Sequence, residues 1–292
     1  MNLENLEQRT QNSVRPVIIQ TEQALSPFIG MKLTPALWHH ILVALFDFVL
    51  PASRVVAAAA RSFYDAERSR VYPTAPRHEV YLAELTFDKF TRDMEPVRSM
   101  VVGTEVTEGA VHHAALRAAR TVENTGRWTI IQAVETPDPW IDFEDDDEEF
   151  TVSTMSDHER REMFRARNEG VRGWARVATG RETCGWCLML VSRGAVYHSA
   201  RDAGAKLDDR EALKVSNSGS MDPEEMMNEW HAGCDCKIVP VFDLKNWSGR
   251  DRYEAALEMW KEVTSGYSGQ DAVNAFRRAA EAGEYTNYLN KN

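Results

Sequence analysis

Four cysteines and a histidine form two short clusters, which restrict the fold of the C-terminal half more than any other feature. The clusters are Cys184-Gly185-Trp186-Cys187 and His231-Ala232-Gly233-Cys234-Asp235-Cys236, and together they contain every cysteine of the chain. Zinc binds about four thiolate or imidazole ligands in a tetrahedron, and two short knuckles across a small sheet are the usual way to supply them. The sequence therefore predicts one structural zinc site, with five candidate ligands for four positions: Cys184, Cys187, His231, Cys234 and Cys236.

The sequence also allows three other uses of these cysteines. Disulfide pairing or simple burial is the structural alternative, although a reducing cytoplasm disfavours disulfides. A redox CxxC needs a dithiol at the N-terminus of a helix, whereas a helix is expected to end before Cys184. A zinc hydrolase or deaminase needs an open metal position and a nearby acid, for which Glu182 and Glu229 are the candidates. The cysteine-rich set and the lack of an HxE pair favour a closed site whose metal supplies folding free energy.

The first half of the chain has the pattern of a helical domain. Thr34 and Pro35 are a typical helix start, and apolar residues follow at helical spacing until Pro51 ends the segment. Ser53 can cap the next helix. The helices predicted in this half cover 35–50, 53–68, 79–94 and 108–123, and the β-branched run 127–134 predicts a short strand.

Residues 157–292 have a mixed pattern, with the cysteine clusters at its centre. The predicted elements are a helix over 157–177, a hairpin of 188–191 and 195–198 turning at Gly194, a helix over 222–230, an edge strand over 237–242 containing Pro240, and helices over 250–263 and 269–282. The fold class expected is a mainly α N-terminal domain and a small α+β, zinc-stapled C-terminal domain.

The net charge of −11 comes mostly from one short tract. Residues 136–150 contain eight acidic side chains and no basic one, beginning at Asp138. Such a run repels itself and stays solvated, which predicts a linker over 136–156 between a helical domain, 1–135, and an α+β domain, 157–292. Mimicry of a nucleic-acid backbone and cation capture are minor alternatives. The acidic balance also argues against tight nonspecific binding to duplex DNA.

The sequence gives no sign of membrane insertion or export. Its longest apolar stretch, 41–46, is far shorter than the roughly 20 residues that a membrane span needs. The N-terminus opens with acidic and amide residues where a secretory signal has basic ones. We therefore expect a soluble protein that is not exported.

Other side chains give weaker signals. His198, Ser199 and Asp202 are the residue types of a nucleophilic triad, but neighbours in sequence seldom converge in that way. The pair 112–113, both histidines, is more typical of a surface than of a metal site. Two tryptophans, 247 and 260, are expected to pack in the core rather than to stack on bases. No catalytic residue is assigned.

The cysteine motifs resemble those of the Mu F-like minor head proteins of tailed bacteriophages, above all the versions in phages of actinobacteria. The likeness is carried by residues 173–197, GWARVATGRETCGWCLMLVSRGAVY, and 230–241, WHAGCDCKIVPV, which contain the CxxC and the HxxCxC of that family. Residues 61–68, RSFYDAER, are similar to the helical part of those proteins.

The resemblance implies a low-copy head morphogenesis protein, made in the bacterial cytoplasm and built into the capsid interior near the portal. Its implied partners are the portal protein, then the scaffold or the major capsid protein, with packaged DNA nearby and no membrane. Our primary hypothesis is an interaction protein that aids assembly or genome packaging. The alternative is a capsid maturation protease, a label that members of this group often carry, and a DNA-contacting protein is a third hypothesis.

Overall fold

The computed structural model describes residues 1–141, 170–179, 183, 185–197 and 237–290. The helices are α1 Leu3–Leu25, α2 Pro35–Val71, α3 Phe87–Asp93, α4 Glu95–Val101, α5 Glu108–Glu135, α6 Gly185–Val191, α7 Arg250–Val263, α8 Gly269–Glu281 and α9 Tyr285–Leu289, with a 3-10 turn at Ser26–Phe28. The strands are β1 Gly173–Val177 and β2 Lys237–Val241. Within the described residues the fold is thus mainly helical with one small sheet, which confirms that part of the predicted fold class.

The chain divides into two compact units that interleave along the sequence. The first unit contains Met1–Phe63 and Tyr81–Gln132, and the second contains Tyr64–Val80 and the described residues from Ala133 onward. Helices α2 and α5 each contribute residues to both units.

Helix α2 runs through Pro51, where the sequence analysis predicted a break between two helices. The apolar residues Leu45, Val49 and Val56 lie on both sides of the proline and are buried in one core cluster. A proline inside a helix costs roughly 3 kcal/mol, and burial of several large side chains offsets a cost of that size. Ser53, the predicted cap, instead donates its hydroxyl to the carbonyl of Leu50 at 2.8 Å.

Two further predictions in this half are wrong. No helix covers 79–86; α3 begins at Phe87, because the Thr86 hydroxyl oxygen caps it by accepting from the Lys89 N–H at 3.3 Å. The predicted strand 127–134 forms the last turns of α5. Its residues Ile130, Ala133 and Val134 are buried at helical spacing, so packing outweighs the preference of β-branched residues for strands.

A close contact of α5 with α2 explains Gly126. A Cβ at this position would lie 2.8 Å from Cγ1 of Val56 and 3.5 Å from Cβ of Ala60. We expect Gly126→Ala to lower the free energy of unfolding by about 1–3 kcal/mol through overpacking. The matched control is Gly109→Ala in the same helix, which meets only Thr107 Oγ1 at 3.8 Å.

Gly109→Ala should raise the free energy of unfolding by up to about 1 kcal/mol, because alanine favours the helix. Urea denaturation of the two variants checks the opposite signs. Val56→Ala added to Gly126→Ala should recover part of the loss. Equal effects of the two glycine substitutions would contradict the contact.

Helix α2 also meets the length and composition test for a membrane span, which the sequence analysis did not expect. An 18-residue window within it has a mean hydropathy of 2.0, and 39% of that window is buried. The core helix of a water-soluble protein passes the same test, and Leu42 and Leu45 of α2 lie in the core of the first unit. The window is therefore weak support for a membrane span.

The second unit contains a two-stranded antiparallel sheet, in which β1 pairs with β2 and all ten residues are buried. The predicted strand at 237–242 is confirmed, whereas 173–177, predicted as the end of a helix, is a strand. Trp174 bonds through its backbone to Tyr197, N–O 2.9 Å and 3.4 Å, on the edge facing away from β2. Trp174 and Pro240 therefore lie opposite each other without exchanging backbone hydrogen bonds. Proline has no N–H to donate, and no hydrogen bond between the strands is lost at this position.

Four helices, α6 to α9, form a hydrophobic core in the second unit. The predicted hairpin at 188–198 is wrong, because 188–191 belongs to α6, although Gly194 does make a turn with φ +67°. Helices α7 and α8 confirm the predictions for 250–263 and 269–282. The apolar side chains of this cluster are Ala178, Leu188, Met189, Val191, Ala255, Ala256, Met259, Phe276, Ala279 and Tyr288.

Candidate metal centre

The register of the sheet brings the chain segments that lead to the two cysteine clusters to the same end. Val177, the last residue of β1, pairs with Lys237, the first residue of β2. Cys236 immediately precedes Lys237, and Cys184 follows Val177 by seven residues. The pairing thus joins segments about 60 residues apart in sequence, as two knuckles around one metal require.

Helix α6 carries the one cluster cysteine among the described residues. Cys187 lies in its first turn and is 1% exposed. The helix contacts β1, α7 and α8. A Cβ at Gly185 would lie 3.1 Å from Cα of Arg277 in α8, so glycine within the CxxC allows the close approach of these two helices.

The C-terminal helices also fix the end of β1. Arg252 of α7 donates to the carbonyl of Ala178, which follows the strand, and the Tyr285 hydroxyl donates to the carbonyl of Arg252 at 3.0 Å. Burial raises the pKa of Tyr285 above its usual range. At Gly249, before α7, φ is +95° and a Cβ would lie 2.4 Å from Cγ1 of Val177. Both contacts hold the segment that continues toward the first cluster.

Most of the predicted ligands lie outside the described residues: Cys184, His231, Cys234 and Cys236. The same holds for other candidates of the sequence analysis: Glu182, Glu229, His198, Ser199 and Asp202. Within the described ranges no group of three or more His, Cys, Asp or Glu side chains is arranged to hold a metal ion. The zinc site therefore stays a prediction. The burial of Cys187 is consistent with a closed structural site.

One argument against redox chemistry is wrong. It relied on a helix ending before Cys184, whereas a strand occupies 173–177 and α6 begins at Gly185. Since thiols at a helix start are often reactive, that objection falls. The burial of Cys187 now weighs against redox chemistry, because thiol–disulfide exchange needs access to the sulfur.

Two buried cations in the sheet were not predicted from the sequence. Arg176 is 1% exposed and Lys237 is 7% exposed, in strands whose other residues are mostly apolar. The signal in the sequence was a charged residue inside each short apolar run. Lys and Arg are almost never fully buried unless they are paired, so each has an electrostatic role in this unit.

A buried ion pair lies at the start of the acidic tract and corrects one expectation. Asp138, counted as a solvated residue, is buried, and its two carboxylate oxygens accept from Nε and Nη2 of Arg68 at 2.5 Å and 3.0 Å. His78 is also buried, with Nδ1 2.8 Å from the Tyr64 hydroxyl and Nε2 3.0 Å from the carbonyl of Pro137. These contacts anchor residues 137–138 within the second unit.

Three of the weaker candidates lie among the described residues: Trp247, Trp260 and His112. Trp247 is buried and lies 6.0 Å from the ring of Tyr253, and Trp260 lies 5.1 Å from the ring of Phe276, which confirms that both are packing residues. His112 is exposed, with Nδ1 3.3 Å from a carboxylate oxygen of Glu22.

Comparison with known proteins gives a match over nearly the whole chain. Residues 2–263 match the family described as VG15 protein. The chain is 36% identical to the Gene 15 protein of Mycobacterium phage L5 over 290 residues, covering 89% of each chain. It is also 36% identical to the Gene 15 protein of Mycobacterium phage D29 over 281 residues, covering 89% of this chain and 92% of the relative. No solved structure matches.

Proposed function

Because this chain belongs to the VG15 family and is thus a phage protein, made in the host cell, we propose that it is a minor capsid or head morphogenesis protein of a tailed phage. It docks at the portal inside the procapsid and aids assembly or genome packaging. The observation that carries the proposal is the near end-to-end match to gene 15 proteins of two phages, in a chain with the paired CxxC and HxxCxC of the Mu F-like minor head proteins.

In the proposed protein the metal is structural. Four of Cys184, Cys187, His231, Cys234 and Cys236 hold a zinc ion, which supplies folding free energy to the second unit. Support comes from the buried Cys187 and from the Val177–Lys237 pair, which joins the strand end that precedes the CxxC in the chain to the strand start that follows the HxxCxC.

The helical first unit is the proposed docking part. It contains a continuous apolar core supplied by α1 to α5, and it carries no cysteine. We assign it the contact with the portal.

Co-expression of the major capsid protein, scaffold and this chain, with and without the portal protein, tests the docking. We expect the chain in purified shells at low copy number only when the portal is present, as measured by quantitative mass spectrometry. An equal copy number in portal-free shells would contradict portal docking.

The same shells separate assembly from proteolysis. Intact-mass analysis of the major capsid protein and scaffold should give identical termini with and without the chain. Truncation that depends on the chain would instead identify it as a maturation protease.

A further inference from the structure

We propose that one face of α2 is the interface of an antiparallel homodimer, in which Asp47 of each copy pairs with Arg54 of the other copy. The occupant of this face is thus a second copy of the chain. The inference goes beyond the proposed function and does not rest on the portal contact or on the zinc site. All of its residues belong to the first unit.

The exposed face of α2 is largely apolar. Ten exposed residues recur at helical spacing along this face, which we call the α2 stripe: Ala36, His40, Val43, Ala44, Asp47, Pro51, Arg54, Val55, Ala58 and Ser62. Six of the ten are apolar, whereas the solvent face of a surface helix is normally charged or polar. The two valines, Val43 and Val55, are 44% and 49% exposed. A continuous apolar surface of this kind marks an interaction site.

The opposite face of α2 already packs in the core of the first unit. Leu42, Leu45 and Val49 are buried there. The helix is therefore apolar on both faces, a pattern typical of helices that are covered all round. Its most apolar 18-residue window is only 39% buried within one chain. The charged side chains of Asp47 and Arg54 lie in the middle of the stripe, which disfavours lipid and favours a protein as the cover.

These two charges determine which protein surface fits the stripe. Asp47 and Arg54 are two helical turns apart, about 10 Å along the axis. A second, antiparallel α2 related by a twofold axis between positions 50 and 51 places its Arg54 opposite Asp47 and its Asp47 opposite Arg54. The same register places Val43 opposite Ala58, so a larger side chain meets a smaller one. The stripe is thus complementary to itself in charge and in side-chain size.

Arg54 has the donors that this contact needs. Its Nη2 lies 3.0 Å from a carboxylate oxygen of Glu84, in a pair whose side chains are 62% and 68% exposed. A guanidinium has five N–H donors, and an exposed ion pair of this kind contributes little to stability. The Arg54 guanidinium can therefore contact Glu84 and Asp47 of the other copy together.

Sedimentation equilibrium of the full-length protein at micromolar concentrations tests the interface. The wild type should show a concentration-dependent equilibrium between the 33.1 kDa chain and a species of twice that mass. Asp47→Arg and Arg54→Asp each place like charges at both symmetric contacts, so each variant alone should dimerise about 10–100-fold more weakly. An equimolar mixture of the two variants should dimerise with nearly the wild-type affinity, because both contacts of a mixed pair again join opposite charges.

Val43→Glu tests the apolar part of the stripe, with Ile19→Glu in α1 as the matched control. The two side chains are similarly exposed, at 44% and 46%. Val43→Glu should weaken the dimer by about tenfold or more, because the new carboxylate loses water in the interface. Ile19→Glu should leave the affinity unchanged. Circular dichroism checks the fold of each variant, and the mixture of the two charge variants decides the case if Val43→Glu does not fold.

Three results would overturn the inference. One is a wild type that stays monomeric at every concentration, and another is a dimer whose affinity neither charge variant changes. The third is two weakened variants that mixing does not restore, which would reject the antiparallel register. A monomer whose incorporation into shells is lost with Val43→Glu and kept with Ile19→Glu would instead assign the stripe to the portal, so failure of this inference leaves the proposed docking standing.

Discussion

Protein purified without chelator is expected to contain about one zinc per chain, and Cys184→Ser and Cys236→Ser are each expected to lose it. The two substitutions remove one candidate ligand from each cluster. Zinc binding contributes roughly 10–16 kcal/mol in small zinc-folded peptides, more than most domains have as net stability. Loss of the ion should therefore unfold the C-terminal part of the second unit at room temperature.

Metal content by mass spectrometry and thermal unfolding followed by circular dichroism check this result. The matched control is Met189→Leu in α6, a volume-conserving change in the same helix that carries Cys187. It should keep the zinc and lose less than about 1.5 kcal/mol. Wild-type protein with no metal would reject the staple and return the cysteines to disulfide or redox chemistry.

The cysteine spacing predicts a zinc site but not its place in the fold, since that place depends on pairing between distant segments. The Val177–Lys237 pair joins residues 60 positions apart, and nothing in either local sequence specifies it. The two buried cations were missed for the same reason. A lone Arg or Lys in a short apolar run has the same sequence signature whether it reaches solvent or lies in a core.

Local signals predicted helices well where capping and spacing agreed. Thr34 does cap α2, because its hydroxyl oxygen accepts from the Leu37 N–H at 3.2 Å. Helices α7 and α8 also have the predicted bounds within one residue. The failures occurred where tertiary burial decided the outcome. Pro51 lies inside a helix, and the Trp174 and Val177 spacing, typical of a helix, belongs to a strand buried on both faces.

The acidic tract was predicted from composition alone, and composition could not identify Asp138 as a buried residue. Asp138 follows Pro137 and carries the same charge as its neighbours, yet Arg68, 70 positions earlier, removes it from solvent. Because the ion pair holds Asp138 against α2 in the second unit, it is the second place where a single substitution should have a large effect.

Asp138→Asn is expected to lower the free energy of unfolding by about 3–5 kcal/mol, because it leaves the buried guanidinium of Arg68 without its countercharge. The side chains of the pair are 2% and 4% exposed. The carboxylate also accepts from the Trp140 N–H at 3.2 Å. Urea denaturation followed by circular dichroism measures the loss.

The matched control is Asp65→Asn, which breaks the pair of Asp65 with Arg77 in the same unit. The two side chains of that pair are 3.0 Å apart, but the Arg77 side chain is 69% exposed, so the loss should be about 0–1 kcal/mol. The double variant Arg68→Met with Asp138→Leu should recover most of the stability, since apolar groups can replace a buried pair. Equal losses for the two single Asp→Asn variants would mean that solvent reaches Asp138, and its carboxylate would then belong to the solvated tract after all.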